Sequence, residues 1–195
     1  IGEVTAEVIL KGNPFKVAEH TAATAEKESV QLLFFTDKNY PSRLKQLNDA
    51  PSLLYVKGNI DFENSKTVAI VGTRRSTDYG KHCVEELVAG LKGHGALIIS
   101  GLAYGIDIQA HKQAVKNNLC TVGVLGSGID VIYPATHRDI VEKMLDTGGI
   151  VSENTFGTKP DAHNFPARNR IIAGLADALV VVEAAESGGA LITAD

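Results

Sequence analysis

Short runs of apolar residues alternate with stretches of helical spacing from Thr67 onward. Each run is continuously apolar and rich in β-branched residues, which is typical of strands buried on both faces. Alternation of such strands with helices is typical of βαβ units. The pattern therefore predicts an α/β fold: a Rossmann-like, doubly wound, mostly parallel sheet with helices on both faces. The predicted strands are 67–71, 96–100, 120–125, 149–153 and 178–183.

The stretches between these strands predict three helices. Apolar residues between 84 and 91 recur at i, i+3, i+4 and i+7, the spacing of a helix packed on a sheet. A second apolar helical face covers 140–145, with Thr136 as its candidate cap. The stretch 106–117 is predicted as a third helix, supported by Asp107 near its start.

The first part of the chain has a different pattern. Residues 1 to about 30 form a polar, alanine-rich helical stretch without a complete apolar face. Segment 34–59 mixes prolines, a short helical pattern and the strand-like run LLYV, and we expect it to pack on the edge of the sheet. We therefore divide the chain into a short helical segment, 1–33, and a Rossmann-like domain, 34–195. Because the sequence stops where a helix should begin, we expect this domain to be incomplete at its C-terminal end.

Composition narrows the function classes. The net charge of −4 argues against a protein that coats duplex DNA, so any nucleic-acid contact must come from a local patch. No stretch is apolar enough to span a bilayer and no signal peptide opens the chain, so we expect a cytoplasmic protein without membrane contact. Cys83 and Cys120 belong to no Cys/Cys or Cys/His ligand spacing, so we expect no metal.

Every unusual motif lies where a predicted strand ends. These motifs are GTRR (72–75), SGLAYGID (100–107), GSGIDVIYP (126–134), SENTFG (152–157) and EAAESGG (183–189). In open parallel sheets, ligands bind at the carboxyl ends of the strands, near helix N-termini. One such glycine only indicates a tight turn. Several of them together with Arg74, Arg75, Ser100 and Ser127 predict an anion site, with phosphate as the expected ligand.

Two common nucleotide fingerprints are missing. The first strand is followed by GTRRST, which lacks the second glycine of GxGxxG, and GSGIDV has Val131 in place of the third glycine. No Walker GxxxxGK[ST] follows any strand. We therefore expect neither a dinucleotide nor an ATP cofactor.

The segment FPARNRIIAGLAD (165–177) places an aromatic residue and two arginines just before a short apolar stretch. Phe165 is predicted to stack on a base, and Arg168 and Arg170 to clamp the backbone. The alternative is that Phe165 belongs to the core and that one arginine pairs with a carboxylate such as Glu153 or Glu183. The two interpretations are compatible if one arginine supports the loop and the other faces the ligand.

Four further residues at the strand ends have two interpretations each. Asp107 and Asp130 could be paired catalytic carboxylates, but each lies two residues after a glycine at a helix or turn start, which favours capping. Tyr104 and Tyr133 lie on loops where they could stack on bases, although Tyr133 before a proline favours a turn.

Taken together, the motifs resemble the DNA-processing protein A (DprA/Smf) family from Tyr40 onward. The matching segments follow in the order YPSRLKQLNDAPSLLYVKG, AIVGTRR, SGLAYGID, GSGIDVIYP, SENTFG, FPARNRIIAGL and VVVEAAESGGALITA. The resemblance implies a protein that binds and protects single-stranded DNA in a positively charged pocket, without catalysis or cofactor. It also implies help in loading RecA recombinase during natural transformation, in the competence and DNA recombination pathways.

The resemblance also implies roles for individual residues. Arg74 and Arg75 are the expected phosphate contacts and Phe165 the stacking aromatic. Some relatives have a lysine where this chain has Ala162, and Lys159 is the expected substitute. The full set of expected DNA-binding residues is Gly72, Thr73, Arg74, Arg75, Ser100, Gly101, Gly105, Gly126, Ser127, Lys159, Phe165, Arg168, Asn169 and Arg170.

Two questions stay open from the sequence. Family members commonly carry an N-terminal helical module, of which 1–33 would be a remnant, and a closing C-terminal part that helps form a homodimer, so dimerisation of this chain is undecided. The alternative function is an enzyme similar to the nucleoside-monophosphate phosphoribohydrolases. That alternative requires SGGALITA to replace the GGxGT loop of those enzymes and Glu183 and Arg168 to form a catalytic pair.

Overall fold

The computed structural model of the chain describes residues 13–184, 189 and 193. This part contains a seven-stranded sheet in the order β1-β2-β6-β5-β4-β3-β7. The strands β3 to β7 are parallel to one another, whereas β2 is antiparallel to both β1 and β6. The strands are β1 (Gln31–Phe34), β2 (Leu53–Gly58), β3 (Thr67–Gly72), β4 (Leu97–Ser100), β5 (Thr121–Val124), β6 (Gly149–Ser152) and β7 (Ala178–Val182).

Five α-helices surround this sheet within the same described residues. They are α1 (Pro14–Lys27), α2 (Asp78–Leu91), α3 (Ile106–Lys116), α4 (Arg138–Met144) and α5 (Asn164–Gly174). Short 3₁₀ turns cover Leu44–Gln46, Lys92–His94 and Ala135–His137. None of the helices in the described part is long and apolar enough to cross a membrane.

Alternate residues of the central strand β3 pack on opposite faces of the sheet. Ala69 and Val71 belong to a buried cluster that includes Ile171 and Ile172 of α5. Ile70, between them, packs in a second cluster with residues of α2 and α3. Burial on both faces explains why the strand sequences are continuously apolar, and it confirms the predicted doubly wound α/β fold.

The segment before β3 extends the sheet, whereas the sequence predicted that it would pack on the edge. LLYV lies in β2, which pairs with β6 on one side and with β1 on the other. Strand β1 was not predicted, and it lies across the division that we placed after residue 33. Residues 1–12 of the predicted N-terminal helical segment lie outside the described residues.

Two predicted caps are wrong. Thr136 lies inside the 3₁₀ turn before α4, and the residue at the N-cap, His137, makes no side-chain capping hydrogen bond. Asp107 lies in the first turn of α3, but the N-cap position belongs to Gly105. By contrast, α2 has a side-chain cap at Thr77, whose hydroxyl accepts a hydrogen bond from the backbone N–H of Gly80 at 3.1 Å.

The order of the parallel strands places a crevice at their carboxyl ends. The chain moves from β3 outward through β4 and β5 to β6, and then returns to β7 on the other side of β3. The strand order therefore reverses beside β3. In open α/β sheets, ligand sites occur where the strand order reverses in this way.

Candidate functional site

A large cavity of ≈ 990 Å³ opens at the carboxyl ends of the parallel strands. We call it the large cavity. The loops after β3, β4, β5 and β6 contribute to its lining, as does Ala184, two residues after β7. Of the residues predicted for the site, those that line it are Gly72, Thr73, Arg74, Lys159, Phe165, Arg168 and Asn169.

Phe165 forms an aromatic and cationic cluster at the opening of the large cavity. The guanidinium carbon of Arg74 lies 5.5 Å from the centroid of the half-buried Phe165 ring, within range of a cation–π contact. The Tyr133 ring lies 5.8 Å from the same centroid, tilted by 37°. Tyr133 is 47% exposed and lines the large cavity, although the predicted site did not include it. The cluster therefore offers stacking surfaces beside a positive charge.

Two glycines of the predicted site allow this arrangement. Gly105 has a φ of +79°, and a Cβ there would lie 2.1 Å from the Thr73 carbonyl oxygen. That close approach holds the start of α3 against the loop that carries Arg74. A Cβ at Gly126 would lie 2.9 Å from the Phe165 ring, so this glycine makes room for the aromatic side chain.

The floor of the large cavity contains a buried pair of opposite charges. Arg168 is 4% exposed and Asp107 6% exposed. Arg168 donates hydrogen bonds to the carbonyl oxygen of Gly101, at 2.5 Å, and to that of Val124, so it connects the ends of β4 and β5. A Cβ added at Gly101 would lie 2.6 Å from both charged side chains, which explains the glycine.

The charges of this pair influence each other. Burial raises the pKa of Asp107 from its usual value, and the positive charge of Arg168 opposes that increase. Burial lowers the pKa of Arg168 to about 10, and the negative charge of Asp107 opposes that decrease. Because Arg168 is enclosed and donates to two carbonyls, its role is to support the loops from below. The predicted backbone clamp is thus corrected for this arginine.

Arg170, the second arginine of the predicted clamp, lies outside the lining of the large cavity. It donates to both carboxylate oxygens of Glu153, at 2.9 and 2.6 Å, and pairs with Asp49 at 3.0 Å. The hydrogen bond to Glu153 is the main reason that the pKa of Arg170 is raised. The pairing of one arginine with Glu153, left open by the sequence, is therefore present, and Arg170 is not placed to clamp a ligand backbone.

The two serines of the predicted anion site face inward. The Ser100 hydroxyl donates to the Ile70 carbonyl at 2.6 Å, and the Ser127 hydroxyl donates to the Val131 carbonyl at 2.6 Å. Both residues are buried. Their hydroxyl groups are therefore occupied in holding the loops, which corrects the prediction that they face an anion.

Three predicted cations remain exposed near the large cavity. Arg74 and Lys159 are exposed and line it, and Arg75 is exposed in the loop after β3. The side-chain amide of Asn169 donates to the Gly189 carbonyl at 3.2 Å. Residues 185–188 of the EAAESGG motif lie outside the described residues. The positive charge at the opening thus comes from exposed side chains.

A carboxylate lies at the N-terminus of α2. Glu183 accepts hydrogen bonds from the backbone N–H of Thr77, at 2.9 Å, and from the Thr77 hydroxyl. The hydrogen bond from the Thr77 hydroxyl is the largest reason that the pKa of Glu183 is lowered. In the enzyme alternative, Glu183 and Arg168 would form a catalytic pair, but both groups are engaged in structural hydrogen bonds.

Asp130, which the sequence left ambiguous, joins two loops, and another polar residue, His111, lies in the core. Asp130 accepts hydrogen bonds from the Gly157 N–H at 2.9 and 3.0 Å, so it connects two loops and is not a helix cap. His111 is fully buried beside Thr121, whose hydroxyl oxygen lies 2.7 Å from its Nδ1 atom. Burial lowers the pKa of His111 to about 3. These groups shape the site without facing its opening.

The sequence of this chain is similar to those of known DNA-processing proteins. The model of the family described as DNA recombination-mediator protein A matches residues 31–195. Protein Smf of Synechocystis sp. is 42% identical over 186 residues, which are 93% of this chain and 46% of that protein. DNA processing protein DprA of Streptococcus pneumoniae is 41% identical over 159 residues, 82% of this chain and 56% of that protein. This chain spans about half the length of these curated relatives.

Solved structures are similar as well. The X-ray structure of DprA from Streptococcus pneumoniae matches with a TM-score of 0.81 and 39% identity, over 89% of this chain and 62% of that one. DNA processing protein A from Helicobacter pylori, whose structure concerns its single-stranded DNA binding mode, matches with a TM-score of 0.77 and 31% identity. That match covers 85% of this chain and 74% of the other. The family resemblance inferred from the motifs is confirmed.

Proposed function

This chain belongs to the DNA recombination-mediator protein A family, and we propose that it binds single-stranded DNA in the large cavity without chemical turnover. The observation that carries the proposal is the cluster of Arg74, Phe165 and Tyr133 at the cavity opening. Aromatic rings accept any base by stacking, and nearby cations contact the phosphates. The Helicobacter pylori protein of similar fold binds single-stranded DNA, which supports the same ligand here.

The contacts divide into two kinds with different salt dependence. Arg74, Arg75 and Lys159 would neutralise phosphates, and each such contact contributes about −0.7 to the log–log salt slope on a single strand. Phe165 would stack on a base, which contributes about 1 to 3 kcal/mol without releasing counterions. The glycines at 72, 101, 105 and 126 allow close packing of the loops that carry these residues, and Arg168 supports the loops from below.

The direct test is fluorescence anisotropy of a labelled oligo-dT at several salt concentrations, with a duplex of equal length for comparison. Arg75→Ala should weaken binding and flatten the salt slope. Phe165→Ala should weaken binding and leave the slope unchanged. Lys92→Ala is the control, because Lys92 is exposed beyond the C-terminus of α2. If the wild-type chain shows no preference for the single strand, or if both variants bind like wild type, the proposal is wrong.

Absence of turnover is tested separately. Oligo-dT and nucleoside monophosphates incubated with the protein should be recovered intact by chromatography. Release of a free base would instead support the phosphoribohydrolase alternative. The engagement of Glu183 with Thr77 argues against that outcome, because a catalytic carboxylate must be free to meet its substrate.

The wider role follows from family membership and is also a proposal. We infer that the whole protein acts in the cytoplasm, forms a homodimer, and helps load RecA recombinase onto single strands during natural transformation and recombination. RecA filament formation on oligo-dT, followed with and without the full-length protein, tests the loading role. Unchanged filament formation would contradict it while leaving DNA binding by this chain intact.

A further inference from the structure

We propose that a second cleft, between α3 and α4, binds the phosphates of the strand segment that leaves the large cavity, and that Tyr104 stacks on a base between the two sites. The proposal rests on the proposed function and extends it. The cleft has a volume of ≈ 320 Å³, and Lys112 of α3 and Lys143 of α4 both line it. We call it the lysine cleft.

The lysine cleft adjoins the large cavity through two loops. After β5, Tyr133 lines the large cavity, and Thr136, three residues further along the chain, lines the lysine cleft. After β4, Ala103 lines the large cavity, and its neighbour Tyr104 contacts the ring of His137 with 5.1 Å between centroids. A DNA strand that crosses from the large cavity to the lysine cleft therefore passes these two loops.

Tyr104 has the exposure that a stacking surface requires. Its side chain is 49% exposed, and its ring is held edge-on against His137, which is itself buried. The Nδ1 atom of His137 lies 2.9 Å from the Leu102 carbonyl oxygen, which fixes the ring below Tyr104. A supported but exposed aromatic ring offers a base a stacking partner that loses little conformational freedom on binding.

The charge of the lysine cleft suits a phosphate backbone. Lys112 and Lys143 are exposed, and within the described residues neither forms a salt bridge. Asp139 is the one carboxylate in the described lining. Burial is the main reason that the pKa of His137 is lowered; the hydrogen bond with Leu102 opposes this decrease and the charge of Lys112 adds to it, so the histidine favours its neutral form. Two free ammonium groups remain, and lysine acts toward phosphate as a flexible point charge.

The test compares oligo-dT of about 5 and about 16 nucleotides, which spans the site sizes of compact single-strand-binding domains. The variants are Lys112→Gln with Lys143→Gln, and Tyr104→Ala. For the long oligonucleotide, the double variant should reduce the salt slope by about 1.4, which is two contacts of about 0.7. Tyr104→Ala should weaken binding of the long oligonucleotide roughly 5- to 150-fold and leave the salt slope unchanged. Both variants should bind the short oligonucleotide like wild type.

A matched control removes the same charge elsewhere. Lys66→Gln with Lys92→Gln changes two exposed lysines, one just before β3 and one just after α2, and it should leave both affinities and the slope unchanged. The second site is disproved, and the proposed function stands, if the lysine-cleft variant has the same affinity and salt slope as this control on the long oligonucleotide. The same holds if its affinity for the short oligonucleotide falls as much as its affinity for the long one. If wild type binds neither oligonucleotide, the proposed function itself fails.

Discussion

Replacement of Arg168 by Met should destabilise the protein strongly, although this arginine lies in the floor of a ligand site. Arg168 is 4% exposed, and its charge opposes the raised pKa of the buried Asp107. It also provides donors for the carbonyls of Gly101 and Val124. Removal of one of two opposite buried charges leaves the other without compensation, which costs about 3–5 kcal/mol. For a chain of this size each kcal/mol lowers Tm by about 2–4 °C, so we expect a decrease of about 6–20 °C.

The assay is urea and thermal unfolding followed by circular dichroism, for Arg168→Met, Asp107→Asn and the double variant. The double variant should be more stable than the sum of the single changes predicts, by about 1–3 kcal/mol, because no uncompensated charge remains. Lower pH should also reduce the loss of unfolding free energy that Arg168→Met causes. Without the arginine the folded-state pKa of Asp107 rises further above its unfolded value, so the penalty is present at high pH and decreases as pH falls. A loss below about 1 kcal/mol that is independent of pH would refute the reasoning.

Three further predictions concern other supports of the site. His111→Gln should reduce the loss of stability as pH falls below neutral. The reason is that the imidazole takes up a proton near pH 6.5 in the unfolded chain but only near pH 3 in the folded protein. Between these pH values, the free energy of unfolding of wild type should decrease by up to about 1.4 kcal/mol per pH unit. Urea denaturation at several pH values measures this, and equal slopes for the two proteins would contradict it. Gly105→Ala should cost more than about 2 kcal/mol and weaken oligo-dT binding, whereas Gly157→Ala, with a φ of +74° but open space, should cost about 1–2 kcal/mol and leave binding unchanged. If Gly105→Ala and Gly157→Ala lose the same unfolding free energy, the contact of Gly105 with Thr73 is unimportant for stability. Arg170→Gln should lower stability by about 1–3 kcal/mol without changing the salt slope of binding, and a slope smaller by about 0.7 would instead identify Arg170 as a phosphate contact.

The parallel part of the sheet was predictable because its strands are buried on both faces. Such strands are continuous apolar runs, and the predicted 67–71 and 178–183 differ by one residue at one end from β3 and β7. Strand β1 was missed because its pairing with β2 depends on tertiary contacts. Four residues at a sheet edge carry no periodic signal that separates a strand from a loop.

The position of the site was predictable from the strand ends, but the direction of its side chains was not. Arg74 and Phe165 were expected there, and they do meet at the large cavity. Ser100 also lies at a strand end, yet its hydroxyl turns inward to a carbonyl oxygen. Whether a polar side chain faces ligand or protein depends on which backbone acceptors the neighbouring strand places beside it, and one sequence does not show this. Tyr133 could have been included, since its motif lies in the same row of loops.

The hydrogen bonds of Glu183 have a consequence for ligand selection. The first turn of α2, after the first parallel strand, is where a dinucleotide fold receives a pyrophosphate. Here a carboxylate of the protein already accepts the Thr77 N–H and hydroxyl. A free dinucleotide would have to displace a negative group that the protein cannot release. This carboxylate would oppose the binding of free anions such as NAD and ATP at the start of α2, which favours the proposed ligand, a polymer held by many weaker contacts.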